Sequence, residues 1–235
     1  MMNPQVVYRE KLRSNIDRET SWLDLGCGHK IFSSSLPDSE NSQHELVQRA
    51  KIVVGIDGDP GALQANRIIR HKIVGSIEKL PFNDQSFNLI TANMVIEHLS
   101  YPHILLSEIN RVLAEGGTFI FHTPNIKNYK MILARLCPEF LKKPVIRYLQ
   151  NRDEVDVYPT CYRLNKPDII RMNASMTGFE LAEMDLLQGP ADSVMLGPLV
   201  IFELLVMKFL SLKQMSNSRS NIIARLKKVR NNGDA

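Results

Sequence analysis

Ser21-Trp22-Leu23-Asp24-Leu25-Gly26-Cys27-Gly28-His29-Lys30 reads as a short buried strand broken sharply by two glycines. Gly26 and Gly28 allow a tight turn and let a ligand approach backbone atoms where a Cβ would collide. At the C-terminal edge of a parallel sheet such a turn forms one wall of a small-molecule crevice. Two glycines after a strand are also an ordinary turn, so the next strand must decide. Ile52 to Ile56 is that strand, and it runs into Gly55-Ile56-Asp57-Gly58-Asp59-Pro60. Asp57 there offers two coplanar acceptor oxygens, suited to the two hydroxyls of a ribose. A nicotinamide dinucleotide would use the same carboxylate, but its pyrophosphate asks for G-x-G-x-x-G. The loop here has no third glycine through Phe32, which favours a nucleoside without a pyrophosphate.

Working outward, strands alternate with helices. Pro4 to Arg18 predicts an opening helix with an apolar stripe at Val7, Leu12 and Ile16. Ser33 to Asn41 reads as a surface loop, followed by a helix over Gln43–Arg49 and another beginning near Pro60. Ile73–Gly75 and Phe87–Ala92 predict the third and fourth strands. Tyr101–Leu113 predicts a helix, ended by Gly116–Gly117, before a fifth strand at Thr118–His122. Pro167–Met176 reads as a helix ended by Thr177–Gly178, and Phe179–Asp185 with Val194–Leu196 as the last pair of strands. The expectation is a doubly wound α/β fold, a seven-stranded mostly parallel sheet with helices on both faces. The whole of 1–235 reads as one domain. Residues 126–175 form a helical cap insertion, because about fifty residues exceed an ordinary crossover, and 213–235 form a basic C-terminal tail.

The ordered segments LDLGCG, GIDGDP, GSIEKLPFNDQSFNLITANMVIEHL and RVLAEGGTFIFHTPN resemble the signature segments of class I S-adenosylmethionine-dependent methyltransferases. The resemblance spans about residues 20–125, and within the family it is nearest the ubiquinone and menaquinone biosynthesis branch. PTCYRLNKPDIIRMNASMTGFE resembles the tail segment of one bacterial subset. The resemblance implies a Rossmann-like methyltransferase fold and S-adenosylmethionine as cofactor. It implies that Asp24, Gly26 and Gly28 face the methionine portion, that Asp57 binds the ribose and that Gly58 lies beside it. Ser76, Ile77 and Glu78 would line the adenine, and Asn93 and Met94 would close the site after the fourth strand. Lys30 stands where the family commonly has a third glycine, and Ser76 where it often has Asp.

The sulfonium of such a cofactor activates the methyl group, so the protein mainly aligns an O, N or C nucleophile with it. An oxygen acceptor also asks for a general base. His98, just past the fourth strand, is the first candidate and His122, past the fifth, the second; each can equally be a structural hydrogen-bond partner. Tyr162 and Arg163 are candidates for lining the substrate pocket, with Arg163 able to pair with a carboxylate or phosphate. A noncatalytic cofactor-binding regulatory or partner protein is the alternative to an enzyme.

The 235 residues, 44% of them hydrophobic, suffice for one substantial core. The net charge of +4 is small and concentrated near the C-terminus, and without zinc-finger spacing or aromatic-basic alternation it does not favour nucleic acid. Cys27, Cys137 and Cys161 are too few and too far apart for a disulfide framework or a metal cluster, which fits a reducing, cytoplasmic setting. No signal peptide is legible in Asn3–Thr20. Val194–Leu212 is strongly apolar but carries Glu203 and Lys208, against a simple span. It is read as packing internally, as a homodimer seam, or as a peripheral membrane contact suited to a lipid-like acceptor.

Overall fold

Alternation along the central strands sorts their side chains onto two apolar faces. In β1 (Ser21–Leu25), Leu23 and Leu25 join one core cluster while Trp22 joins the other. In β4 (Phe87–Asn93), Ile90 and Leu89 divide in the same way. In β5 (Leu113–Pro124), Phe119 and Phe121 lie opposite Ile120. Strands apolar on both faces need a layer above and below, and the helices supply it. The computed structural model describes residues 3–32, 36, 38–128, 160–189, 208 and 218–230. The first face is covered by α4 (Pro102–Val112), through Leu105, Leu106 and Ile109, and by α5 (Pro167–Met176), through Ile170 and Ala174. The second takes Tyr8 and Leu12 of α1 (Pro4–Asn15), Leu46 of α2 (Ser39–Arg49) and Leu63 of α3 (Pro60–Ala65).

With β2 (Ile52–Asp57), β3 (His71–Val74), β6 (Phe179–Leu187) and β7 (Asn221–Lys228), the strand order is β3-β2-β1-β4-β5-β7-β6. The pairs among the first five strands are parallel, and β7 runs antiparallel between β5 and β6. The order reverses between β1 and β4, which opens a crevice beyond the C-terminal ends of those strands. The fold is the expected seven-stranded, mostly parallel α/β sheet.

Three expectations need correction. Among the described residues the seventh strand is Asn221–Lys228, drawn from the stretch read as a basic tail; Val194–Leu196, read as a strand, lies outside the described residues. Its Ile222, Ile223, Ala224 and Leu226 are buried, so burying them against β5 and β6 outweighs the local excess of charge. The charges are used internally. Lys228, 7% exposed, donates to the carbonyls of Asn110 and Leu113, both at 2.9 Å, at the end of α4, and lies 3.1 Å from Glu115. Arg225 lies 3.3 Å from Glu183. The helix α2 begins at Ser39, inside the stretch read as loop, where buried Gln43 donates back to Ser39. Gly116–Gly117 do not end α4: the chain turns extended at Leu113, and the glycines lie in an irregular stretch of β5, where Phe87 pairs with Leu113 and Leu89 with Thr118.

Most of the range read as a helical cap, and Val194–Leu212 apart from Lys208, lie outside the described residues. The described part of the cap range, α5, packs on β6 and on α4 as part of the helical layer. No helix among the described residues is long and apolar enough to cross a membrane, and no group of His, Cys, Asp and Glu among them could hold a metal ion.

Candidate active site

The glycine loop is built by backbone constraint. Gly26 has φ +58° and Gly28 φ +45°, the left-handed region that side chains resist. A Cβ on Gly26 would lie 2.5 Å from Cγ2 of Val95, so the loop and the turn after β4 touch through the missing side chain. A Cβ on Gly28 would meet nothing within 4 Å, which leaves open space at the loop. The N–H groups of Gly26 and Cys27 donate to the carbonyl of Ile56, tying the loop to the end of β2. Asn66, 1% exposed, donates to the carbonyl of Gly28 at 2.9 Å and accepts from the N–H of Ile68 and Ile69. It is a support that the sequence reading missed, because nothing in its local context sets it apart from a loop asparagine.

Asp57 stands at the C-terminal end of β2. Its Oδ2 accepts from the Gly28 N–H at 2.8 Å and its Oδ1 from the Asp59 N–H at 2.9 Å. These bonds orient the carboxylate and leave each oxygen a further lone pair, enough for two vicinal hydroxyls. Asp59 caps α3, accepting from the Gly61 and Ala62 N–H groups, and so is spent on architecture.

Between these elements lies a cleft of about 600 Å³, lined by Gly26, Asp57, Gly58, Val74, Gly75, Ser76, Ile77, Met94, Val95 and His98. It brings together Gly26, Asp57, Gly58, Ser76, Ile77, Met94 and His98 of the residues singled out from sequence. Val74, Gly75 and Val95 were not foreseen. The first two follow from their position at the exit of β3, and Val95 from its seat over Gly26. Exposed Val74 and half-buried Ile77 and Val95 give the cleft apolar sides suited to a flat base. A carboxylate for the ribose, glycine-lined space and apolar walls together fit the adenosine portion of S-adenosylmethionine.

Other candidates lie beside the cleft or away from it. Glu78 is not among the lining residues; its N–H donates to Ser76 Oγ at 3.2 Å. Asp24 is 2% exposed and accepts from Thr91 Oγ1, which in turn accepts from Trp22 Nε1 at 2.6 Å. Burial, together with the Asp57 charge, pushes the Asp24 carboxyl up to about 7 against the Thr91 hydrogen bond. Asn93 lies behind Met94, donating to the carbonyl of Ile31 at 2.9 Å. His98 is half-buried on the short 3₁₀ turn Ile96–His98 at the cleft wall. His122, read as a second base, does not line the cleft: it is 2% exposed and its ring meets the side chains of Asn93 and Asn221. Burial lowers its pKa to about 4.

Glu97, 3% exposed, ties the chain that returns at residue 160. Its carbonyl accepts from the N–H groups of Cys161 and Tyr162, and its carboxylate from Thr123 Oγ1 at 3.1 Å. Tyr162, at φ +51°, is thereby held close in the chain to exposed Arg163 and next to the turn that carries His98.

Residues 23–121 match the family model described as a methyltransferase domain. A malonyl-[acyl-carrier protein] O-methyltransferase of Erwinia billingiae is 32% identical over 127 residues, 54% of this chain and 48% of that protein. The chain spans about half the length, or less, of the curated relatives it matches. Among solved structures, a chain of the complex between the Haloferax volcanii Trm112 methyltransferase activator and its methyltransferase superposes with a TM-score of 0.61. The identity is 18%, over 97% of this chain and 90% of that one. The YcgJ protein of Bacillus subtilis superposes at 0.57 with 16% identity, over 95% and 98% of the two chains. The match to a methyltransferase domain thus covers residues 23–121, from β1 to β5, less than half of the chain.

Proposed function

We propose that this chain is a methyltransferase that uses S-adenosylmethionine to methylate an O, N or C nucleophile of a small molecule. The observation that carries the reading is the Asp57 carboxylate, oriented by two backbone N–H groups at the rim of an apolar, glycine-walled cleft. Asp57 holds the ribose, Ser76 and Ile77 border the base, and Met94 and Val95 form the opposite wall. The bound cofactor supplies a methyl group made electrophilic by its sulfonium sulfur. The protein then has to hold the acceptor in line and exclude water from the cleft. His98, which lines the cleft, takes the proton of an oxygen acceptor in this reading. Relatives named malonyl-[acyl-carrier protein] O-methyltransferase act on oxygen, which agrees with a base at this position. Tyr162, whose N–H donates to the Glu97 carbonyl, and Arg163 after it border the acceptor side in this reading. A lipid-like acceptor of the kind handled by the ubiquinone and menaquinone branch is supported by the strongly apolar sequence of Val194–Leu212.

Calorimetry with S-adenosylmethionine, S-adenosylhomocysteine and NAD tests the cofactor assignment. Micromolar binding of the first two, abolished in Asp57→Ala, is the expected result. Binding of NAD alone refutes it. Labelled-methyl transfer into cell extract, resolved into lipid and aqueous fractions, then tests the acceptor class, and label confined to the aqueous fraction overturns the lipid-like assignment.

A further inference from the structure

The turn that leaves β4 is strained. Met94, a cleft residue, has φ +59°, the left-handed region that a residue with a Cβ resists. Val95 follows it and seats against the space above Gly26. Something must hold this turn, and the bonds around it come from distant parts of the chain. The Met94 N–H donates to the carbonyl of His122 at 2.9 Å. The neighbouring Asn93 side chain is fixed at both ends. Its Nδ2 donates to the Ile31 carbonyl at 2.9 Å and to Gln5 Oε1 at 3.2 Å. Its Oδ1 accepts from Gln5 Nε2 at 3.3 Å and lies 2.8 Å from His122 Nδ1.

The direction of the His122 bond follows from its neighbours. A neutral imidazole carries one N–H; here Nδ1 faces the Asn93 amide at 2.8 Å and Gln5 Nε2 at 3.3 Å, and Nε2 faces the Asn221 amide. The Asn93 amide cannot turn over, because its Nδ2 is committed to Ile31 and Gln5. The Asn221 amide can, because its neighbour Ser220 Oγ either accepts from an amide N–H or donates to an amide oxygen. The Nδ1–H tautomer therefore donates to Asn93, while Nε2 lies 3.0 Å from the Asn221 amide.

We propose that Gln5 and His122 are positioning residues for the cofactor cleft: through the Asn93 side chain they hold Met94 and Val95 against the glycine loop. The N-terminal helix is on this account part of the cofactor site, although Gln5 is separated from Asn93 by 88 positions and lines no part of the cleft. His122 acts here without exchanging a proton with substrate. The inference rests on the cofactor reading above, and its test separates the two.

The experiment is S-adenosylhomocysteine calorimetry on the full chain, with Gln5→Met, His122→Gln, Asn93→Ala and the pairwise combinations, each also melted thermally. Gln5→Met and His122→Gln should each weaken binding roughly tenfold, a loss typical of one or two polar contacts. In the Asn93→Ala background neither should weaken it further, because the route to Met94 is already cut. Additive losses in that background overturn the inference, as do variants that melt lower yet bind like the wild type. A wild type that binds no S-adenosylhomocysteine overturns the cofactor reading and this one with it. Unchanged binding in the variants of a wild type that does bind overturns this inference alone.

Discussion

Two buried groups, Asp24 and His122, make opposite demands on pH, and the fold should show this as a cancellation. The Asp24 carboxyl is raised from 3.8 to about 7 by burial and by the Asp57 charge. The folded chain therefore keeps a proton that the unfolded chain releases. The stability this contributes is complete below pH 3.8 and lost as pH rises through 7. His122 is lowered from 6.5 to about 4 by burial, so the unfolded chain takes up a proton that the folded chain refuses. Its contribution is complete above pH 6.5 and lost as pH falls towards 4. Across pH 4.5–6 the two proton differences oppose each other, and their joint effect on the wild type should be nearly flat. One bound proton is worth about 1.4 kcal/mol per pH unit. Asp24→Asn should thus gain stability relative to wild type as pH rises, by roughly 2 kcal/mol across that window. His122→Gln should lose about as much relative to wild type over the same range. Asp17, Glu108, Asp168 and Glu183, all held below their ordinary values by hydrogen bonds, contribute alike in every variant and drop out of the differences. The assay is urea unfolding at constant ionic strength, followed by far-UV circular dichroism and by the fluorescence of Trp22, the sole tryptophan and fully buried. Difference curves parallel to the pH axis for both variants would refute the reasoning, because neither group would then differ in protonation between the two states.

Three further outcomes follow from local geometry. Gly26→Ala should destabilise by about 3 kcal/mol, combining left-handed strain with the clash against Val95; adding Val95→Ala should recover the clash and leave about 1–2 kcal/mol, as read by denaturant midpoints. Tyr8→Phe should leave stability within about 1 kcal/mol of wild type, since the buried Tyr8 hydroxyl faces Thr91 without well-formed hydrogen-bond geometry; a loss above about 2 kcal/mol would make the Tyr8–Thr91 contact a full hydrogen bond. Lys228→Met should cost roughly 2–3 kcal/mol by stripping two carbonyls at the end of α4 of their donor, and Glu115→Gln should add little in that background.

The first five strands were legible because their signals are local. Ser21–Leu25 and Phe87–Asn93 are apolar runs bounded by turn residues, and no distant partner is needed to recognise them. The seventh strand was not, and the reason is compositional. In Asn221–Lys228 the residues Arg225, Lys227 and Lys228 make the segment look solvated, while the Glu183 and Glu115 carboxylates and the α4 carbonyls that accommodate two of those charges lie far away in sequence. The helix end at Val112 was hidden in the same way. Two glycines four residues on looked like the terminator, yet the pairing of Leu113 with Phe87 draws the chain into the sheet first.

The same division runs through the site. Gly26 and Asp57 could be read because each sits at a strand exit, and the strand order fixes where those exits meet, whereas Ser76 came only from the family resemblance. A residue that supports the site from behind has no such marker. Asn66 reaches the Gly28 carbonyl from beyond α3, Glu97 reaches Thr123 and the backbone at Cys161, and Gln5 reaches Asn93 from the first helix. His122 shows the cost of reading residue type without this context. A histidine read as past the fifth strand suggests proton transfer, but it lies within β5, and burial and three amide neighbours leave it neutral and committed. His98 has the same residue type and a comparable place past β4, yet it borders the cleft, so exposure to the ligand's space separates a candidate base from a brace. That difference is set by how β4, β5 and α1 pack together, and no spacing within the sequence encodes it.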